Sequence, residues 1–242
     1  MLFPLTDDNP TRRRPVATYV IIGLNVAAWA LFQRFGFDPG FSESLCRYGL
    51  VPGDLLGTIE PGSKLRIAQN LICQFDGETN VVTLISSMFM HGGWLHLIGN
   101  MWFLWVFGDN VEDSMGAFRF TLFYLLAGLV ATATQIATDT TSVIPMVGAS
   151  GAIGGVMGAY ALLYPRARVR TLIFLGFFIT TVSIPALFIL GWWFVVQLIS
   201  GLPSLGRPGG GVAFWAHIGG FIAGVLLVTL FRQRSSNTIG GT

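Results

Sequence analysis

The sequence predicts an all-α polytopic membrane protein with six transmembrane helices and both termini on the cytoplasmic side. Three observations lead there. First, only 11% of the 242 residues are charged and 52% are apolar, against about 25% charged in an ordinary soluble domain. Second, the charges are confined: segments 15–33, 79–108, 120–138, 140–165, 171–206 and 208–231 hold no Lys, Arg, Asp or Glu. About 20 apolar residues carry a helix across the hydrocarbon core, so each gap has room for one span. Third, basic residues collect on the cytoplasmic side of membrane proteins. With the N-terminus inside, Arg12, Arg13, Arg14, Arg119, Arg166, Arg168, Arg170, Arg232 and Arg234 lie inside. Only Arg34, Arg47, Lys64, Arg66 and Arg207 lie outside. The net charge of +2 suggests no nucleic-acid partner.

Residues 1–15 are polar, with Asp7, Asp8 and Arg12–Arg14, and read as a cytoplasmic segment rather than a cleavable signal peptide. A membrane domain over 16–233 follows. Its first span is about Val16–Phe35. A long outer loop, about 36–93, holds both cysteines, Cys46 and Cys73. In an oxidising compartment they can pair; the other reading is two unrelated thiols. The second span is about Trp94–Gly108, its start blurred by the apolar approach 81–90. The third is about Phe118–Ile136 and the fourth about Pro145–Tyr164. The fifth lies within Thr171–Gly201, which is too long for one straight helix. Pro185 divides that stretch, making 171–183 an interfacial or re-entrant piece, or a seventh span. The sixth is about Ala213–Phe231, and 234–242 is a short cytoplasmic tail.

Polar groups inside spans are costly and tend to mark function. All three histidines, His91, His96 and His217, lie near spans. Ser150 falls about five residues into the fourth span from its outer end, and His217 about four into the sixth. Both then sit roughly 6–8 Å below the outer surface. His96 and Asn100 enter the second span from the same side. Four polar side chains from three spans thus share one layer. Ser150, Gly154 and Gly158 share a helix face, with Gly151 beside it; His217, Gly220 and Gly224 share another. Such small-residue faces let membrane helices approach closely. Each alone is an ordinary packing seam, but each carries one half of a nucleophile–base pair.

A serine hydroxyl needs a base, and histidine serves near neutral pH. An Asp or Glu usually orients the imidazole. Here no acid lies in mid-span; Asp109 and Glu112 fall at the inner end of the second. The expectation is therefore a Ser150–His217 dyad, with His217 held by packing. His96, Asn100 and the backbone N–H of Ser150 suit an oxyanion hole. His91 adds to it or shapes the entrance. An aspartyl protease would need two buried Asp residues. A zinc protease would want HExxH, which the stretch His91–His96 lacks. An ion-coupled transporter would show a buried charged pair near the midplane. No metal or cofactor is expected.

The stretches HGGWLHLIGNMWFLWVFGDNVED (91–113), GASGAIGGVMGAY (148–160) and AHIGGFIAG (216–224) resemble the rhomboid intramembrane serine proteases. The resemblance implies a rhomboid-like six-helix fold with a cavity opening outward and a lateral gate involving the fifth span. It places the nucleophile on Ser150, the base on His217 and oxyanion stabilisers on His96 and Asn100. It implies membrane-anchored protein substrates, cut in or near their transmembrane segment. Two departures stand out. The first outer loop has no Trp-Arg pair. Gly154 occupies the position where an aromatic residue often stacks on the histidine, leaving Phe214 and Trp215 as candidates to support His217. The competing readings are a catalytically inactive, client-binding relative and a small transporter. A bacterial plasma membrane is the expected host.

Overall fold

The computed structural model describes residues 2–69, 71–175, 178–205 and 211–233. In chain order it runs β1 (Leu2–Asp7), α1 (Val16–Leu31), α2 (Gly40–Tyr48), α3 (Pro52–Leu55), β2 (Lys64–Ala68) and β3 (Leu71–Gln74). Then come α4 (Thr83–Ser86), α5 (Trp94–Met115), α6 (Ala117–Thr138) and α7 (Ser150–Leu163). β4 (Arg168–Leu175), β5 (Phe178–Pro185), α8 (Ala186–Gly201) and α9 (Phe214–Phe231) complete it. Among the described residues, three helical stretches are long and apolar enough to cross a membrane: Ala117–Thr138, Ala186–Ser204 and Phe214–Phe231. Helices α1 and α7 are apolar but shorter. Helix α5 matches α6 in length but carries Asp109, Glu112 and Asp113 near its end.

Helix α7 is the hub, packed by α5, α6, α8 and α9. Its residues Gly151–Ala161 are all buried, as a helix that is apolar all round should be. Around it, Trp29, Phe107, Phe123 and Tyr124 are fully buried. Helices α5 and α6 are joined through Gly116, whose φ of +79° is one that residues with a Cβ rarely adopt. Helix α1 has no side-chain cap of its own. Instead the buried Glu112 carboxylate accepts from the backbone N–H groups of Ala17 (2.9 Å) and Thr18 (2.8 Å). It also accepts from the Thr18 hydroxyl at 2.8 Å. Two otherwise orphaned helix N–H groups are thereby satisfied by an anion, the charge sign that end favours.

The all-α expectation needs correction, because the chain is mostly helical with two small antiparallel sheets. One has the strand order β1–β4–β5 and the other pairs β2 with β3. The stretch 171–183 is therefore neither re-entrant helix nor seventh span. It is rich in β-branched residues, among them Thr171, Ile173, Ile179, Thr180, Thr181 and Val182, which favour strands. Pro185 ends β5 and is the N-cap of α8. Residues 1–15 likewise contain a strand. The Pro4 carbonyl accepts from Trp102 Nε1 at 2.7 Å, the Tyr160 hydroxyl donates to Asp7, and the Asp8 carboxylate accepts from the Arg168 N–H at 2.7 Å.

Two helix boundaries also differ from expectation. The helix placed at 145–164 begins only at Ser150, and the one placed at 94–108 runs on to Met115. Cys46 and Cys73 form a disulfide, tying α2 to β3. Residues 206–210 and the tail 234–242, with Arg207 and Arg234, lie outside the described residues.

Candidate active site

The approach to Ser150 is an extended stretch clamped from the long loop. Leu50 and Met146 exchange backbone hydrogen bonds of 3.0 and 2.7 Å, and the Gly148 N–H donates to Ser87 O at 2.9 Å. Gly148 has φ +127°, outside the range of most side chains. Ser150 follows as the first residue of α7, so it stands at the helix start rather than five residues along a span. Its backbone N–H belongs to the first turn, where no intrahelical acceptor exists.

His217 stands in the first turn of α9, which leans on α7 through glycines. A Cβ on Gly220 would overlap Gly151 O, and one on Gly224 would overlap Gly155 O. A Cβ on Gly154 would meet His217 O at 3.0 Å, and one on Gly158 would overlap Phe221 O. With backbones this close, His217 Nε2 lies 2.8 Å from Ser150 Oγ. Gly155, not singled out from the sequence, belongs to the same seam.

The other side of the imidazole meets α8. His217 Nδ1 lies 2.8 Å from Gln197 Oε1. The Trp193 ring faces the imidazole with centroids 5.7 Å apart and planes 36° off parallel. His217 is therefore held by a hydrogen bond as well as by packing, which corrects the expectation of packing alone. Phe214 and Trp215 do not supply the support; the Trp215 Nε1–H donates to Gly201 O at 3.2 Å, at the far end of α8. Gln197 and Trp193 escaped the sequence reading, which looked for a carboxylate and for aromatics near residues 154 and 217.

Helix α5 brings the remaining groups. His96 Nδ1 accepts from the Gly92 N–H at 3.1 Å, so in the neutral ring the proton sits on Nε2. A methyl group built on Gly148 would lie 2.7 Å from His96 Nε2 and 3.5 Å from Ser150 Oγ. Those two atoms therefore flank one small space. Asn100, one turn further along α5, is buried, and its Nδ2 has no hydrogen-bond partner. His91 is fully buried and sets its ring edge-on to His96 at 5.1 Å. Its backbone exchanges hydrogen bonds of 2.6 and 2.7 Å with the Gln33 carboxamide. No cluster of His, Cys, Asp or Glu among the described residues has the geometry of a metal site.

The arrangement is a serine–imidazole pair with the His96 ring beside it. Comparison with known proteins bears on what such a pair belongs to. Residues 78–234 match the family model described as the Rhomboid domain. The chain is 31% identical to the Rhomboid protease GluP of Bacillus subtilis over 88% of its own length and 35% of that protein's. It is 26% identical to Rhomboid protein 1, mitochondrial, of Saccharomyces cerevisiae over 86% of its own length and 51% of that protein's. It is 29% identical to the bovine Presenilin-associated rhomboid-like protein, mitochondrial, over 86% of its own length and 47% of that protein's. The chain thus spans about half or less of these relatives. Because they come from mitochondria as well as a bacterium, they do not carry the expectation of a bacterial plasma membrane.

Proposed function

Since this chain belongs to the rhomboid family, we propose that it is an intramembrane serine endopeptidase cutting membrane-anchored proteins in or near their transmembrane segment. The observation carrying this reading is the 2.8 Å approach of His217 Nε2 to Ser150 Oγ. That distance lets the imidazole take the hydroxyl proton as Oγ attacks the scissile carbonyl. The carbonyl oxygen then becomes an oxyanion. In this reading the N–H donors of Ser150, His96 and Asn100 receive it, as preorganised donors of this kind stabilise charge only as it develops. His217 next gives its proton to the leaving amine, and water, activated by the same imidazole, releases the acyl group from Ser150. No step calls for a metal or cofactor. His91 acts on the space through His96, whose ring it backs.

Six helices, α1 and α5–α9, cross the bilayer in this reading, with both termini cytoplasmic and Ser150 near the outer face. The charge-free segments and the distribution of Arg and Lys support that topology. The substrates are single-span or otherwise membrane-anchored proteins met within the lipid.

Purified protein in liposomes should cleave a single-span substrate, and a fluorophosphonate probe should label Ser150. Ser150→Ala and His217→Ala should each abolish cleavage in a protein that remains folded. Full activity in Ser150→Ala would end the proposal. An unlabelled, inactive wild-type protein that still binds such substrates would favour the client-binding alternative.

A further inference from the structure

Gln197 has a role that follows from the chemistry of a neutral imidazole. Such a ring carries one N–H, and its position decides whether the ring can act as a base at Nε2. A base toward Ser150 must present a lone pair at Nε2, which puts the proton on Nδ1. That N–H then needs an acceptor. The Gln197 carboxamide oxygen, buried on α8, is 2.8 Å from Nδ1. A carboxamide oxygen only accepts, so facing Nδ1 it selects the ring form with the proton there.

We propose that Gln197 is the uncharged third member of the site, a positioning residue that holds His217 in the tautomer able to deprotonate Ser150. The kinetic part of this assignment rests on the protease reading above; the tautomer part does not. The choice of residue has a physical logic. A carboxylate at membrane depth is costly to keep ionised, whereas a carboxamide supplies the acceptor without a charge. When the imidazole takes up the serine proton, its Nδ1–H becomes a charge-assisted donor and the same bond strengthens. Trp193 lies one helical turn before Gln197 and covers the ring face. One face of α8 thus fixes both the ring's plane and its proton.

The test is nitrogen NMR on the full chain labelled with 15N-histidine in detergent. The chain has three histidines, so His217→Ala assigns the signal. In the wild type His217 should be protonated at Nδ1. In Gln197→Leu that preference should be lost. Turnover should fall roughly 5–50-fold, the worth of one to two buried hydrogen bonds, with KM little changed. Gln197→Glu keeps an acceptor and should restore the Nδ1–H form. A wild-type ring protonated at Nε2 would overturn the assignment, as would an Nδ1–H form that persists in Gln197→Leu. A fall in turnover with an unchanged tautomer would reduce Gln197 to a structural part and also overturn it. The tautomer is read without turnover, so a failure of Ser150 labelling sinks the protease reading while leaving this result standing on its own.

Discussion

His217 lies between two contacts of opposite construction. On one side α9 meets α7 backbone to backbone. Gly220 and Gly224 leave no room for a Cβ against Gly151 O and Gly155 O. On the other side α8 reaches the ring through the Trp193 and Gln197 side chains. A Cβ added at Gly191 in α8 would meet nothing within 4 Å. Leu187, Phe188, Trp192 and Ile199 of α8 are each more than half exposed, whereas Gly151–Ala161 of α7 are buried throughout. Ser150 and His217 are thus set by a joint that no rotamer change can relax. Gln197, the partner of His217 Nδ1, arrives on a helix with an open outer face.

The largest effect should come from breaking the rigid joint. Gly220→Val drives a branched side chain into the Gly151 carbonyl and should cost about 3 kcal/mol or more. It should be seen as loss of monodisperse protein on size exclusion. His96→Ala and Asn100→Ala leave both contacts intact; each should lower turnover about 10–1,000-fold, the range for a lost oxyanion donor, at an unchanged melting temperature. Cys46→Ser opens a link across 27 residues of sequence. It should cost up to about 3 kcal/mol, read as a lower melting temperature, with cleavage retained. The smallest effect belongs to the open helix. Gly191→Ala should be neutral or stabilising by up to about 1 kcal/mol. If Gly220→Ala were tolerated as well as Gly191→Ala, the contrast between the two contacts would collapse.

The sequence revealed the helices through its charge-free segments, and the meeting of Ser150 with His217 through their small-residue faces. The β4–β5 pair was hidden for a physical reason. Residues 171–206 contain no charge, and hydropathy does not distinguish an apolar strand pair from a helix. β-Branching in 169–184 was the unused signal. The start of α7 was misplaced because Pro145–Ala149 is as apolar as the helix it precedes. Gln197 was passed over because a carboxylate was sought. It is the only glutamine in residues 136–232, in an otherwise apolar helix, and that isolation was readable.

The clamp on the approach to Ser150 divides the long loop by its tolerance of length change. Gly53 N–H bonds Ser142 O at 2.9 Å, Leu50 pairs with Met146, and Ser87 O holds the Gly148 N–H. Loop residues 49–53 and 86–88 therefore set where Ser150 begins its helix. The β2–β3 hairpin lies between those two grips in sequence and is held separately, by the Cys46–Cys73 disulfide and by Cys73 and Phe75 packed with Val51. An insertion after Gly62 would part the bonds that Gly62 and Ser63 make with Phe75 at the base of the hairpin, while a single residue added at Pro52 would shift the seating of Ser150 itself.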